Sequence, residues 1–139
     1  MAKTIVQKVV FKNTSAGELY KLYMSTKLHA LVTGAPAKIS KKTGGSFSAY
    51  GTYITGKNIL LIANELILQT WKAEDWGEDT PYSIFMICLK PKGKNTTLHV
   101  VHANLPDKAA AGISKGWHEF YWKPWKQHLA GKKIKTAAM

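Results

Sequence analysis

The 139-residue chain contains no arginine, because all twenty of its basic residues are lysines. With only eight acidic residues, its formal net charge is +12. Such a charge attracts polyanions in general. Sequence-specific reading of bases and bidentate clamping of phosphates rely largely on planar guanidinium groups, which this chain lacks. The composition therefore argues against specific nucleic-acid binding and indicates a solvated lysine coat that attracts acidic proteins.

Cysteine and long apolar runs are also scarce. Cys88 is the single cysteine, which excludes a disulfide within the chain and a thiolate metal cluster. The uninterrupted apolar runs, such as residues 59–63, are far too short to cross a bilayer. No signal peptide precedes the first alternating segment. These features predict a cytoplasmic protein with no membrane span, organised as one domain over residues 1–139.

The middle of the chain has the pattern of strands joined by short turns. Apolar and polar residues alternate, and clusters of glycine, proline and asparagine separate the segments. Turns this short join antiparallel neighbours, because parallel strands need long crossover connections. The predicted strands are residues 3–11, 36–40, 45–50, 52–61, 66–73, 82–90 and 96–103.

Two short helices are predicted between the first strand and the second. Ser15 and Glu18 have the spacing of a capping box, in which each side chain binds a backbone amide of the other residue. Thr26 is the predicted N-cap of the second helix, and Gly34 is its predicted terminator.

The chain closes with an unusually aromatic helix. Trp117, Trp122 and Trp125 fall within nine residues, and a helix this apolar must lie against the sheet. α-Helical spacing places Trp117 on the packed face and makes Trp122 and Trp125 point partly elsewhere. Pro124 removes a backbone hydrogen bond and predicts a kink or distortion.

Two glycines lie one turn apart near the start of this helix. Gly112 and Gly116 each cost about 1 kcal/mol relative to alanine inside a helix. Either the helix begins near Ser114 and leaves Gly112 in the preceding loop, or the glycines allow the backbone to approach the sheet closely.

Four motifs occur in an order typical of one family. They are Gly44-Gly-Ser-Phe-Ser-Ala-Tyr-Gly51, Leu68-Gln-Thr-Trp71, Thr97-Leu-His-Val-Val-His102 and Gly116-Trp117. Together they resemble the C-terminal domain of the activators of heat-shock protein 90 ATPase, within the START-like (SRPBCC) superfamily. The resemblance implies an α+β helix-grip fold like that of the birch-pollen allergen. Such a fold has a curved antiparallel sheet of about seven strands, two short helices and a long C-terminal helix.

The resemblance also bears on function. Domains of this superfamily often leave a hollow between the sheet and the last helix. It therefore implies a non-enzymatic domain that binds an apolar small molecule or a protein partner. The alternative is a stand-alone co-chaperone that stimulates a chaperone ATPase, although the eukaryotic activators have a further N-terminal domain for which these 139 residues have no room.

Strand parity and the helix face predict which residues line such a hollow. A solid core made of the same side chains is the alternative. Trp76 is predicted to fold back onto Trp71, to cap the mouth of the hollow or to contact a partner. Trp122 and Trp125 are the other two candidates for a partner surface. The cavity candidates are Phe47, Tyr53, Trp71, Phe85, Met86, His102, Trp117 and Tyr121.

No catalytic or metal-binding constellation is visible in the sequence. His99 and His102 face opposite sides of a strand, so the two rings cannot chelate one metal ion. The glycines at 44, 45 and 51 bracket a strand and do not open a helix, which disfavours a phosphate loop. A hydrolase or cyclase is the weakest alternative, with His102 or Glu65 as its catalyst. No metal or other cofactor is expected.

Overall fold

The computed structural model describes the backbone of residues 2–138 and the side chains of residues 2–131. Seven strands and a set of helices follow one another in the predicted order. The strands are β1 (Lys3–Phe11), β2 (Ala37–Ile39), β3 (Ser46–Ala49), β4 (Ile54–Ile62), β5 (Leu66–Ala73), β6 (Ser83–Lys92) and β7 (Asn95–Leu105). The helices are α1 (Ala16–Met24), α2 (Thr26–Thr33), a 3₁₀ turn (Glu74–Trp76), α3 (Ala110–Trp117), a π-helical turn (His118–Trp122) and α4 (Lys123–Ala138).

All seven strands form one curved antiparallel sheet, in the order β1-β7-β6-β5-β4-β3-β2. The predicted helix-grip architecture is therefore confirmed. Bulges interrupt the register in β1 after Lys3 and in β4 after Asn58, and bulges bend the strands that carry them. Glycine is required at position 56, because a Cβ there would lie 1.9 Å from the carbonyl oxygen of Thr70 on β5.

The two short helices begin and end at small residues. Ser15 and Glu18 form the predicted capping box, with both reciprocal hydrogen bonds present. The second helix is capped by Ser25, whose hydroxyl accepts from the amide of Leu28, and Thr26 is already helical. Gly34 ends that helix in the left-handed conformation, with φ of 74°.

The closing helix is one continuous rod with a wide turn in its middle. It begins at Ala110, so Gly112 lies inside it. Residues 118–122 form a π-turn in which the amide of Lys123 donates to the carbonyl of His118, five residues back. Pro124 follows directly. The distortion predicted for this proline thus takes the form of a π-turn next to it.

The π-turn explains why the prediction for two tryptophans is wrong. A π-turn brings residues five apart onto one side of the helix, so Trp122 stacks on Trp117 with ring centres 5.5 Å apart. Trp125 lies edge-on to Trp122 at 5.0 Å. Both indoles are 1% exposed. Trp122 and Trp125 are therefore core residues and cannot form a partner surface.

Candidate functional site

A groove of about 840 Å³ lies between α3 with the following π-turn and one end of the sheet. The floor comes from β4 and β5, through Ile54, Trp71 and Ala73. The turn that joins β3 to β4 forms one wall with Tyr50 and Tyr53. The helix and the loop before it form the opposite wall, and the 3₁₀ turn closes one end. Its helix-side lining is Pro106, Lys108, Ala109, Gly112, Ile113, Gly116, Trp117, Phe120 and Tyr121.

The two helix glycines keep this space open. A Cβ built on Gly112 meets no atom within 4 Å, and one built on Gly116 meets only the ring of Phe120 at 3.6 Å. Neither glycine allows a close approach of backbone to sheet, so both alternatives considered from the sequence are wrong. Each glycine costs about 1 kcal/mol of helix stability. In exchange, the wall of the groove carries no side chain at either position.

Aromatic rings dominate the lining. Trp117 packs against Trp71 with ring centres 5.9 Å apart and stacks face to face on Phe85 at 4.2 Å. Trp76 folds back onto Trp71 at 5.5 Å and also lines the groove. Two of the interpretations of Trp76 therefore hold at once, because it covers Trp71 and closes one end of the groove. Its contact with a partner stays a prediction.

Four of the predicted cavity residues line the groove: Tyr53, Trp71, Trp117 and Tyr121. The other four do not. Phe47, Phe85 and His102 belong to the packed interior, and Phe85 and His102 have no exposed surface at all. Met86 alternates with buried neighbours on β6 and so lies on the opposite face of the sheet. The structure thus has a packed core beside an open groove, where the sequence offered a hollow or a solid core.

Polar groups are few in the groove. The hydroxyl of Tyr53 donates to a carboxylate oxygen of Asp75 at 3.0 Å. The pKa of Tyr53 is raised, mainly by burial and further by the hydrogen bond to Asp75 and its negative charge. Tyr50 has a left-handed backbone with φ of 51°, which costs a tyrosine about 1–2 kcal/mol. Its hydroxyl is buried without a hydrogen-bond partner among the described residues. The wall at Tyr50 is therefore held by packing, with its ring 6.0 Å from that of Phe120.

His102 is fixed in one neutral tautomer. The indole N–H of Trp117 donates to Nδ1 at 3.1 Å, so Nδ1 carries no proton and Nε2 must carry it. Nε2 lies 2.8 Å from Oγ of Ser83, whose own proton goes to the carbonyl of Trp71 at 2.6 Å. Burial lowers the pKa of His102 to about 3. Because the nitrogen that faces Ser83 is already protonated, this pair cannot act as a nucleophile and its base.

A second buried histidine holds Tyr121, which lines the helix side of the groove. Nδ1 of His29 donates to the carbonyl of Tyr23 at 2.8 Å, so Nε2 accepts from the hydroxyl of Tyr121 at 2.9 Å. Burial lowers the pKa of His29, and the bond to the Tyr23 carbonyl opposes that change. The hydroxyl of Tyr121 is thus already hydrogen-bonded to His29. Only the ring of Tyr121 is left to contact a ligand.

Most of the other lining residues were missed from the sequence, among them Tyr50, Phe120 and Gly112. Tyr50 precedes Gly51 in a turn, and no strand or helix period indicates where a turn residue points. Phe120 could not be told from Tyr121 by helical spacing. The paired glycines were the available signal for Gly112, since two glycines one turn apart in a helix leave a gap in the face they share. Among the described residues, no three histidine, cysteine or acidic side chains converge on a metal-sized site.

Comparison with known protein families gives a match over most of the chain. The family model for Activator of Hsp90 ATPase homolog 1-like proteins matches residues 13–130. The chain belongs to that family. Its C-terminal helix, with Trp117 and the π-turn, lies inside the matched range.

The relatives define how far the likeness extends. The chain is 26% identical over 114 residues to activator of 90 kDa heat shock protein ATPase homolog 1 of Mus musculus, which is 82% of this chain and 33% of the relative. It is 26% identical over 116 residues to the activator homolog of Dictyostelium discoideum, covering 83% and 30%. The chain thus spans about a third of the length of these relatives.

Solved structures bear out the fold. The crystal structure of an HSP90 activator from Plasmodium falciparum superimposes with a TM-score of 0.82 at 21% identity, covering 94% of this chain and 96% of that chain. A protein from Mesorhizobium loti gives 0.78 at 17% identity, covering 92% and 97%. In the described part of this member of the activator family, no helix is long and apolar enough to span a membrane.

Proposed function

We propose that this domain is non-enzymatic and binds an uncharged, largely aromatic small molecule in the groove between the sheet and the closing helix. The observation that carries the proposal is the pair of glycines on the groove wall, where a Cβ at Gly112 would meet empty space. The two glycines cost the helix about 2 kcal/mol together, and the space that they leave belongs to the groove. An apolar concave site with few polar groups is the usual form of a small-molecule site.

The lining favours a flat ligand. Tyr50, Trp76 and Phe120 keep exposed ring surface in the groove, whereas Trp71 and Trp117 are only 5% and 2% exposed. Stacking between offset or tilted rings contributes about 0.5–1.5 kcal/mol beyond burial of area. The charged groups of the lining are Asp75, which accepts from Tyr53, and Lys108. A ligand with a strongly charged centre would lose its hydration among these rings without a dedicated partner.

Fluorescence titration tests the proposal directly. The probe is 6-propionyl-2-dimethylaminonaphthalene, a neutral aromatic ketone whose emission responds to the polarity around it. Gly112→Leu places a side chain in the groove and is expected to weaken binding at least about tenfold, equivalent to about 1.4 kcal/mol. Gly131→Leu is the matched control, because Gly131 lies on the exposed part of α4 away from the groove. Equal binding by both variants, or no binding by the parent chain, would contradict the proposal.

A second candidate function is that of a stand-alone co-chaperone that stimulates a chaperone ATPase. It is favoured by membership of the activator family and by a surface whose net charge of +12 suits acidic proteins. ATP turnover by a 90 kDa heat-shock protein, measured with and without the chain at low and at high salt, tests it. No change in turnover at a saturating concentration of the chain would rule it out.

The hydrolase or cyclase alternative lacks a catalyst in the groove. His102 is fully buried with its serine-facing nitrogen protonated, and Glu65 is exposed in the turn between β4 and β5. Neither lines the groove. A cytoplasmic location and a single domain over residues 1–139 remain predictions and belong to this proposal.

A further inference from the structure

The face of the sheet that turns away from the closing helix carries a row of apolar side chains. Cross-strand register places Val6 of β1 opposite Val101 of β7. Val101 is opposite Met86 of β6, and Met86 is opposite Leu68 of β5. Leu68 is opposite Leu60 of β4. We name these five residues, Val6, Val101, Met86, Leu68 and Leu60, the outer row.

The outer row is part of a wider apolar surface. Neighbouring strands lie about 4.8 Å apart, so five side chains in register extend for about 19 Å. Ile84 continues the surface on one side of the row and Ile62 on the other. Val6 is 75% exposed and Leu60 is 41% exposed, and Leu68, Met86 and Val101 are half-buried. Single exposed apolar side chains are ordinary on a protein surface, whereas a contiguous apolar patch can be a site of interaction.

Every charged residue on the seven strands is a lysine. None of the strands contains an aspartate or a glutamate. Lys8 lies in the next row, opposite His99, and Lys90 and Lys57 lie on the outer face at its borders. Along the strands the apolar surface is thus edged by positive charge, and Glu65, in the turn after Ile62, is an acid that lies beside it.

We infer that the outer row is a docking surface for a protein whose contacting face has an apolar centre edged by carboxylates. Such a partner would bury the row and place its acidic groups beside the lysines, which speeds encounter and fixes orientation. A second copy of this chain would bring lysine against lysine and a charge of +12 against +12. An anionic membrane also carries negative charge, but surface insertion typically uses an amphipathic helix, whereas the outer row lies on a sheet. The row has no aromatic member, and Met86 and Val101 are partly sunk between their neighbours.

This surface is separate from the groove, because the sheet lies between them. Strand alternation puts Met86 on the outer face and Phe85, which stacks on Trp117, on the inner face. The inference therefore stands or falls independently of a groove ligand.

The test uses two designed helical peptides with the same leucine face. One carries glutamates along both edges of that face, and the other carries lysines. Fluorescence anisotropy with the full chain is expected to show binding of the acidic peptide. The dissociation constant of the basic peptide is expected to be at least about tenfold larger. Amide chemical shifts are expected to move in β5, β6 and β7, around Leu68, Met86 and Val101.

Variants locate the site. Val6→Lys lies on an edge strand with a largely exposed side chain, and Met86→Lys lies at the centre of the row. Each variant is expected to raise the dissociation constant of the acidic peptide at least about tenfold. Leu31→Lys is the matched control, because Leu31 is 63% exposed on α2, away from the row, and binding is expected to stay unchanged.

Three results would overturn the inference. The first is equal affinity for the two peptides or no affinity for the acidic one. The second is binding to phosphatidylserine vesicles that Val6→Lys abolishes, together with no binding of the acidic peptide. That result would assign the face to a membrane. The third is a dimer in sedimentation that Val6→Lys dissociates, which would assign it to a second copy.

Discussion

Acid should destabilise this protein through His102 well before its carboxylates are protonated. Burial lowers the pKa of His102 to about 3 in the folded chain, whereas an unfolded histidine titrates near 6.5. Between these two pKa values, the unfolded state therefore binds a proton at His102 that the native state does not bind. The stability that depends on a neutral His102 is complete above pH 6.5 and is lost as the pH falls toward 3.

The size of the effect follows from the difference between the two pKa values. One pH unit below the unfolded pKa corresponds to about 1.4 kcal/mol for a single proton, so the loss at pH 5 is about 2 kcal/mol. His29 adds to it, because burial lowers its pKa as well. A domain of ordinary stability has about 5–15 kcal/mol in total, so the loss is readily measured.

Urea unfolding followed by tryptophan fluorescence, at pH 7.5 and at pH 5.0, measures this loss. His102→Asn removes the titrating group and the hydrogen bond between Nε2 and Ser83, whereas the new amide oxygen can accept from the indole N–H of Trp117. We expect the variant to be less stable at pH 7.5 by about 1–3 kcal/mol, and to lose about 2 kcal/mol less than the parent on acidification. His99→Asn, on the outer face of the same strand, is the control and should keep the parental pH dependence.

Two results would refute the reasoning. One is a parental free energy of unfolding that is the same at both pH values. The other is a pH dependence that His102→Asn leaves unchanged, because the buried ring would then not be the group that the unfolded state protonates.

Three further predictions concern stability and use the same unfolding assay. Gly112→Ala should raise the free energy of unfolding by about 1 kcal/mol, because its Cβ meets open space, and Gly56→Ala should instead destabilise strongly. A destabilised Gly112→Ala would mean that the helix is not formed at that position. Gln7→Leu should cost about 1–3 kcal/mol, because it removes the acceptor of the buried Trp122 indole N–H, whose bond to Oε1 is 2.7 Å. No loss in Gln7→Leu would indicate that the indole finds another acceptor. Ser15→Ala should cost about 1 kcal/mol through the capping box, whereas Lys21→Ala, at an exposed position of the same helix, is the control and should change stability little.

Much of the fold could be predicted because its signals are local. The capping box at Ser15 and Glu18 depends on four consecutive residues, and Gly34 ends a helix by its own backbone preference. Strand alternation assigned Phe85 and Met86 to opposite faces without deciding which face was inner. That decision needed the closing helix, since Trp117 stacks on Phe85 and leaves Met86 outside.

The candidate site was predictable only in part. Trp71 and Trp117 were found because large aromatic residues on a strand and a helix that must pack together meet at their interface. Tyr50 was not found, because its position depends on a turn with left-handed backbone that no periodicity describes. Trp122 and Trp125 were misplaced by the assumption of regular α-helical spacing.

The sequence by itself determined the secondary structure, the family and the positive surface, because each of these depends on residues near in the chain or on composition. The tertiary structure alone decided the rest. Only the packed helix shows that Pro124 is preceded by a π-turn that turns two tryptophans inward, and only the assembled wall shows that Gly112 faces empty space. The outer row likewise exists only once five strands are in register. The groove and the outer row are relations between segments distant in sequence, which local preference does not encode. The π-turn is local, but the burial of Trp122 and Trp125 that it allows depends on the core against which they pack.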